Sequence, residues 1–259
     1  MAEPVLQIST SEKIARVTLN RPDVRNAFNA ELIAELQRAF ERLGSDDGLR
    51  AVIVLGAGKT FCGGADINWM RASLELSREE NVSDAKRMSD MFATIDRCPK
   101  PVIARVHGAA LGGGAGLVAV CDVAIASDDA QFGFTEAKLG ILPAVISPFV
   151  IRKIGVSHAR ALFLTGERFG PERAENIGLV HDVVRFEDLD TAVDRVVDEI
   201  KTGGRGAIAL AKKTIADVTA DPQNAREITS HAIAEQRTSA EGQEGLRAFL
   251  ERRKPNWTA

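Results

Sequence analysis

Cysteine and histidine are scarce in this chain of 259 residues, and their spacing argues against two kinds of site. The three cysteines, Cys62, Cys98 and Cys121, lie far apart without CxxC spacing, which disfavours a disulfide framework and a zinc site. We expect them to be buried thiols. The four histidines form no HxH or HExxH pair, so no metal site is expected.

Long apolar runs and an excess of basic charge are missing as well. No window approaches the roughly 20 apolar residues of a membrane-spanning helix, and residues 1–10 lack the basic start and apolar segment of a signal peptide. The 33 basic and 36 acidic residues are spread along the chain, leaving a net charge of −3 and no basic stripe. We therefore expect a cytoplasmic protein that binds neither nucleic acid nor a membrane.

What the chain does contain is a strong alternation of strand and helix patterns. Residues 5–8 and 14–19 predict a β-hairpin, and residues 51–55 predict a short buried strand. Between them, Asn29 is placed to cap an amphipathic helix that ends at Gly44. Because strands and helices alternate, the expected fold class is α/β, with stacked βαβ units.

The rest of the sequence predicts further strands and then a final segment that contains only helices. Residues 102–106 and 122–126 read as buried strands, whereas residues 70–81 lack a clean period and predict a mobile loop before a helix over 82–97. From Gly203 onward the chain predicts only helices. We therefore divide it into a core at residues 1–202 and a helical subdomain at 203–259.

Three motifs that suggest other chemistry fail on inspection. Residues 56–60 resemble the end of a phosphate-binding loop, but Ile53 stands where that motif needs glycine. The glycines after Leu111 do not satisfy GxGxxG, because Leu117 occupies the last required position. Cys62 has no evident base nearby, so a small apolar filler is favoured over a nucleophile.

The glycine-rich stretch at residues 111–117 (LGGGAGL) is the most informative feature. Consecutive glycines let a backbone approach a ligand closely, and a helix that begins there points free N–H groups at negative charge. These are the requirements of an oxyanion hole. Glu136 follows an apolar run, and a carboxyl group in a dry cleft is suited to general acid/base chemistry. Taken alone, Glu136 is better explained as a solvated residue at a helix start.

A series of motifs in order along the chain resembles the crotonase superfamily, the enoyl-CoA hydratases and isomerases. The motifs are NAFN (26–29), FCGGAD (61–66), HGAALGGG (107–114), CD (121–122), QFGFTE (131–136), TG (165–166), GLV (178–180) and FLERRKP (249–255). The resemblance implies a spiral of stacked ββα units with C-terminal helices that pack trimers, often paired as hexamers. It also implies an acyl-CoA substrate and no separate cofactor, because coenzyme A is part of the thioester.

The resemblance also implies roles for individual residues. The backbone N–H groups of Ala65 and Gly113 match the two donors that hold the thioester oxygen, and Glu136 matches the acid that exchanges a proton with the α-carbon. The residues expected around the substrate and its CoA portion are Arg25, Asn26, Ala27, Lys59, Ala65, Asp66, Ile67, Gly112, Gly113, Gly116 and Pro143. For Asp66, a role in ordering the loop is an alternative to contact with CoA.

The chain departs from the hydratase pattern at the position of the usual second glutamate, where it has Gly116. Since one carboxylate suffices to move a double bond, a Δ3,Δ2-enoyl-CoA isomerase is an alternative to a hydratase. A non-catalytic CoA-binding protein is a further alternative, which Glu136 argues against. A replacement acid could come from the 70–81 segment, which contains three glutamates: Glu75, Glu79 and Glu80.

A second departure concerns the substrate. Residues 143–150 (PAVISPFV), together with Gly116, resemble bacterial methylglutaconyl-CoA and isohexenylglutaconyl-CoA hydratases. We expect the glycine to leave room for a β-branched acyl group. The resemblance thus implies hydration of an enoyl-CoA in fatty-acid or branched-chain acyl-CoA breakdown.

Overall fold

The computed structural model describes residues 3–258 and contains two sheets enclosed by helices. The strands are β1 Leu6–Ser11, β2 Ile14–Leu19, β3 Ala51–Gly56, β4 Val102–Val106, β5 Ala109–Leu111, β6 Val123–Ser127, β7 Gln131–Gly133, β8 Arg168–Phe169 and β9 Asp182–Val184. The helices are α1 Ala30–Ser45, α2 Ile67–Ser73, α3 Arg78–Asp96, α4 Gly113–Val120, α5 Ser147–Thr165, α6 Pro171–Asn176, α7 Leu189–Thr202, α8 Arg205–Ala220, α9 Ala225–Thr238 and α10 Ala240–Leu250.

The larger sheet has six strands in the order β1-β2-β3-β4-β6-β9. Only the first pair is antiparallel, and it forms the predicted hairpin, with Leu6 opposite Leu19 and Ser11 opposite Ile14. The other neighbours are parallel. β3 and β4 are almost entirely buried because helices cover both faces of the sheet, as parallel sheets require.

The smaller sheet has the order β5-β7-β8 and lies beside the larger one. A strand of the larger sheet is followed twice by a strand of the smaller sheet, first in β4 to β5 and then in β6 to β7. The chain makes the same passage after β3, because Cys62 forms a parallel bridge with Ala110, a residue of β5 in the smaller sheet. Each turn is followed by a helix, so the core is a spiral of ββα units whose layers stack side by side.

The segment from residue 70 to residue 81 is mostly helical, so the prediction of a mobile loop there is wrong. Asp66 accepts hydrogen bonds from the backbone N–H groups of Asn68 and Trp69 and thereby caps α2. Ser77 and Glu80 form a capping box that begins α3. Hydrophobic periodicity missed α2 because this seven-residue helix contains no buried residue.

The end of the chain is helical, as expected. Gly203 is the C-cap of α7 and Gly204 is the N-cap of α8, the place that we assigned to the joint. Within the described residues, none in α8 or α9 is buried, and Ile215, Phe249 and Leu250 are largely exposed. The division into a core and a trimerisation subdomain stays a prediction. Among the described helices, none combines the length and hydropathy of a bilayer-spanning segment.

Candidate active site

A cleft of about 520 Å³ opens where three turns of the spiral meet, and it contains the candidate catalytic residues. The FCGGAD loop and the residues before α4 lie side by side because Cys62 accepts a hydrogen bond from Leu111 N at 3.0 Å. Gly64, with a positive φ of 99°, faces the Leu111 carbonyl oxygen so closely that a Cβ there would lie 3.0 Å from it. Five of the predicted site residues line the cleft: Ala65, Gly112, Gly113, Glu136 and Pro143.

Two backbone N–H groups, those of Ala65 and Gly113, have no acceptor within residues 3–258. The neighbouring hydrogen bonds run from Phe28 N to Gly64 O and from Asp66 N to Phe28 O, and neither uses the N–H group of Ala65. Gly113 is the first residue of α4, where an N–H lacks an intrahelical partner. Free N–H groups that line one cleft are suited to stabilising an oxyanion.

A side chain at Gly113 would force its neighbours to shift. A Cβ there would lie 2.9 Å from Met88 Cε and 3.1 Å from the Phe28 ring, both of which pack against the start of α4. The preceding residue, Gly112, has a positive φ of 51° that points the chain into the helix. The absence of side chains in the glycine triplet therefore lets the Phe28 ring and Met88 pack directly against the backbone at the start of α4.

Glu136 stands beside these N–H groups. It lies in a short 3₁₀ helix, Thr135–Leu139, and a Cβ at Gly112 would be 3.0 Å from its Oε1. Its other oxygen, Oε2, is buried without a hydrogen-bond partner among the described residues. Burial raises the pKa of Glu136 above its ordinary value, and a backbone hydrogen bond only partly offsets that shift. A buried, unpaired carboxyl group is costly to keep in a fold, and its chemistry is suited to proton transfer.

Comparison with known proteins agrees with this geometry. Residues 9–259 match the family model described as enoyl-CoA hydratase/isomerase. The chain belongs to this family. It is 34% identical to the crotonyl-CoA hydratase of Syntrophomonas wolfei over 260 residues, which cover 99% of each chain.

Solved structures of the family confirm the expected crotonase-type spiral. The enoyl-CoA hydratase of Shewanella pealeana superposes with a TM-score of 0.94 at 37% identity, over 98% of this chain and 96% of that one. The enoyl-CoA hydratase of Mycobacterium smegmatis superposes with a TM-score of 0.95 at 35% identity, over 99% of this chain and 100% of that one.

Several residues predicted to contact CoA hold loops together. The Asn26 side chain is fully buried, accepts from Arg21 N at 2.9 Å, and donates to the carbonyl oxygens of Ala57 at 2.8 Å and Thr60 at 2.6 Å. It therefore joins the loop before α1 to the loop after β3. Ala27 is buried beside it and accepts a hydrogen bond from the Arg21 guanidinium.

Asp66 orders the same region. Its Oδ2 pairs with Arg21 Nη2 at 2.8 Å, and its Oδ1 caps α2. Burial opposes ionisation, but Arg21 and the capping N–H groups outweigh it and hold the pKa of Asp66 below its ordinary value. Arg21, to which no sequence motif pointed, is thus the residue that connects the Ala27 and Asp66 loops.

The remaining predicted CoA contacts lie outside the cleft. Arg25, Lys59 and Ile67 are exposed and do not line it. Their positions leave them accessible to a ligand, and their contact with CoA stays a prediction. The three glutamates considered as replacement acids do not line the cleft: Glu75 and Glu79 are exposed, and Glu80 is used in the capping box of α3.

Gly116 is buried within α4 and does not itself line the cleft, and its expected role in leaving room for a branched acyl group stays a prediction. Ile146 fills that space: a Cβ at Gly116 would lie 2.3 Å from Ile146 Cγ2 and 2.8 Å from Ile146 Cβ. The wall of the cleft at Ile146 is therefore apolar. The sequence could not show this pairing, because the two residues are 30 positions apart and belong to different turns of the spiral.

The close packing of Gly116 and Ile146 predicts a coupled effect on stability. Gly116→Ala should lower the free energy of unfolding by about 1–3 kcal/mol, because the new methyl group overlaps Ile146. In an Ile146→Gly background the same change should be neutral or stabilising, since alanine favours a helix over glycine by about 1 kcal/mol. Urea unfolding of the four proteins measures both steps, and equal costs in the two backgrounds would contradict the pairing.

No cysteine or histidine of the described residues lines the cleft. All three cysteines are buried, and burial raises the pKa of the Cys62 thiol to about 12, which makes it unreactive. His107 is buried and its Nε2 lies 2.9 Å from the Gly58 carbonyl oxygen, a structural contact. Within residues 3–258, no cluster of His, Cys, Asp and Glu side chains has the arrangement of a metal site.

Proposed function

We propose that this protein is an enoyl-CoA hydratase, which adds water across the 2,3 double bond of an acyl-CoA thioester. The observation that carries the proposal is a buried carboxyl group, Glu136, beside two unpaired N–H groups in one cleft. Family membership supports it, because the family unites hydratases and isomerases that act on enoyl-CoA.

In the proposed reaction, the N–H groups of Ala65 and Gly113 donate to the thioester carbonyl oxygen. Attack of water at the β-carbon moves the electron pair of the double bond toward that oxygen, and two donors in a fixed position stabilise the resulting enolate. Glu136, whose pKa is raised by burial, then gives its proton to the α-carbon. Backbone donors need no reorganisation during this step.

The walls of the cleft favour an uncharged acyl chain. They are mostly apolar, and among the described residues that line them only two side chains are ionisable, Asp84 and Glu136, both acidic. A substrate carboxylate at the end of the acyl group would meet like charge and no cation. We therefore propose a neutral acyl chain in place of a methylglutaconyl-like one.

A double-bond isomerase is the second candidate, and one observation favours it. Ile146 covers Gly116, so the chain has an apolar side chain at the position where the resemblance places the second glutamate of hydratases. Glu136 alone could take a proton from one carbon and return it two carbons away.

Product analysis in oxygen-labelled water separates the two functions. The purified protein is incubated with linear and β-branched 2-enoyl-CoA and 3-enoyl-CoA, and the product masses are determined. We expect labelled 3-hydroxyacyl-CoA from linear 2-enoyl-CoA. Migration of the double bond without uptake of label would make the protein an isomerase, and absence of turnover with every thioester would reject both functions.

We also propose a homotrimer or a dimer of trimers. The proposal is supported by the exposed apolar residues of the C-terminal helices, Ile215, Phe249 and Leu250, whose exposure ranges from 69% to 81%. Subunit contacts would remove such residues from water.

A further inference from the structure

A second carboxylate, that of Asp84, lines the same cleft as Glu136. It comes from α3, whereas Glu136 comes from the 3₁₀ helix after β7. Asp84 lies just beyond residues 70–81, the segment that contains the three glutamates considered as possible replacement acids.

The position of Asp84 follows from the face that α3 presents to the cleft. Asn81, Asp84, Ala85 and Met88 all line it, and their spacing of three and four residues places them on one side of the helix. Met88 Cε packs against the backbone of Gly113, where a Cβ would lie only 2.9 Å away. Asp84 is one helical turn before Met88, about 6 Å along the same face. Asp84 therefore lies on the wall of the cleft that also contains Gly113 and Glu136, one helical turn from the side chain that contacts Gly113.

The burial of Asp84 distinguishes it from an ordinary surface ion pair. Arg87 Nη2 pairs with Asp84 Oδ1 at 2.7 Å, but the Arg87 side chain is 59% exposed, while that of Asp84 is 13% exposed. Arg87 does not line the cleft. Asp84 Oδ2 accepts no hydrogen bond from residues 3–258. One oxygen is thus fixed by a cation outside the cleft, and the other is free to accept a hydrogen bond from a water molecule.

We infer that Asp84 is the carboxylate that activates the attacking water. The inference rests on the proposed hydratase function. Asp84 takes a proton from water as the water oxygen bonds to the β-carbon, and the electron pair of the double bond moves to the thioester oxygen held by Ala65 and Gly113. Glu136 gives its proton to the α-carbon as the carbonyl re-forms. Solvent then takes the proton from Asp84 and returns one to Glu136, so that one water is added.

The test compares hydration with a partial reaction that needs only Glu136. Exchange of the α-hydrogen of a saturated acyl-CoA, butyryl-CoA, with deuterium from D₂O requires the oxyanion hole and one acid/base group. We expect Asp84→Asn to lower kcat for crotonyl-CoA hydration about 100-fold, while α-exchange stays within about threefold of wild type. Retained exchange also shows that the variant is folded.

Two further variants serve as controls. Asp90→Asn makes the same change on the same helix at an exposed residue that does not line this cleft, and we expect both rates to be unchanged. Arg87→Gln removes the ion-pair partner but keeps the carboxylate, and we expect a smaller loss of hydration, about tenfold or less, with exchange unaffected.

The outcomes separate this inference from the proposed function. If wild type hydrates crotonyl-CoA and Asp84→Asn hydrates it equally well, the assignment of Asp84 is overturned and the hydratase function stands. An equal loss of hydration and exchange in Asp84→Asn also overturns it, because the residue would not act on water specifically. If wild type exchanges the α-hydrogen but never hydrates, the hydratase function itself is rejected.

Discussion

Replacing Glu136 with glutamine is expected to lower kcat for enoyl-CoA turnover at least about 10³-fold, with little change in the affinity for the acyl-CoA. Glutamine has nearly the same shape but cannot give or take a proton. The N–H groups of Ala65 and Gly113 remain in place, so thioester binding should persist. Initial rates with crotonyl-CoA measure the loss, and calorimetric titration with butyryl-CoA measures the binding.

The same variant is expected to be more stable than wild type, in a pH-dependent way. Burial raises the folded-state pKa of Glu136 above its ordinary value of 4.5, so the folded protein disfavours the charged form relative to the unfolded chain. Well below pH 4.5 both states carry the neutral acid and the two proteins should be equally stable. As the pH rises the unfolded chain ionises first, and wild type loses stability until the pH passes the folded pKa. The gain of the variant should then reach about 0.5–2 kcal/mol.

Glu75→Gln provides the matched control, because it makes the same change at an exposed residue that does not line the cleft. Its rate and its unfolding free energy should equal those of wild type between pH 4 and pH 8. A Glu136→Gln enzyme with more than a tenth of the wild-type kcat would show that proton transfer does not depend on this residue. A stability gain that did not vary with pH would show that burial of the charge is not its cause.

Substituting Gly114 with alanine is expected to destabilise the fold by about 3 kcal/mol or more and to abolish turnover. A Cβ at this position would lie 2.3 Å from the carbonyl oxygen of Cys62 and 2.9 Å from its Cβ. The Cys62 carbonyl oxygen also accepts a hydrogen bond from Leu111 N. It therefore cannot move away without separating the two loops of the cleft. The loss should exceed the helix preference of alanine, about 1 kcal/mol, and overpacking of this severity lies at the upper end of its usual cost.

Urea unfolding followed by circular dichroism measures the effect, with Gly170→Ala as the control. Gly170 has an ordinary φ of −82°, and a Cβ added there would meet no atom within 4 Å, so its substitution should cost less than about 1 kcal/mol. If Gly114→Ala were as stable as Gly170→Ala, the two loops would have to be less tightly packed than the structure shows.

The pattern of apolar residues was sufficient to predict the strands and helices that bury at least one face. The hairpin, α1 and the strands β3, β4 and β6 occur where their periodicity predicts them, since burial of alternate or i, i+3, i+4 positions selects those residues. It failed for α2, because an exposed helix that is fixed by a cap at Asp66 carries no hydrophobic period. The signal that remained was local: an aspartate at one end and Ser77 with Glu80 at the start of α3.

The sequence by itself determined the family, the glycines that bring the backbone to the cleft, and the acid at Glu136, because these depend on residue types in a fixed order along the chain. Only the tertiary structure decided what surrounds them. Ile146 fills the space beside Gly116, and the Asn26 side chain forms hydrogen bonds that join two loops. Asp84, a residue of α3, lines the cleft. Each of these facts depends on side chains that meet across turns of the spiral, and a distance between such residues is not encoded in their separation along the chain.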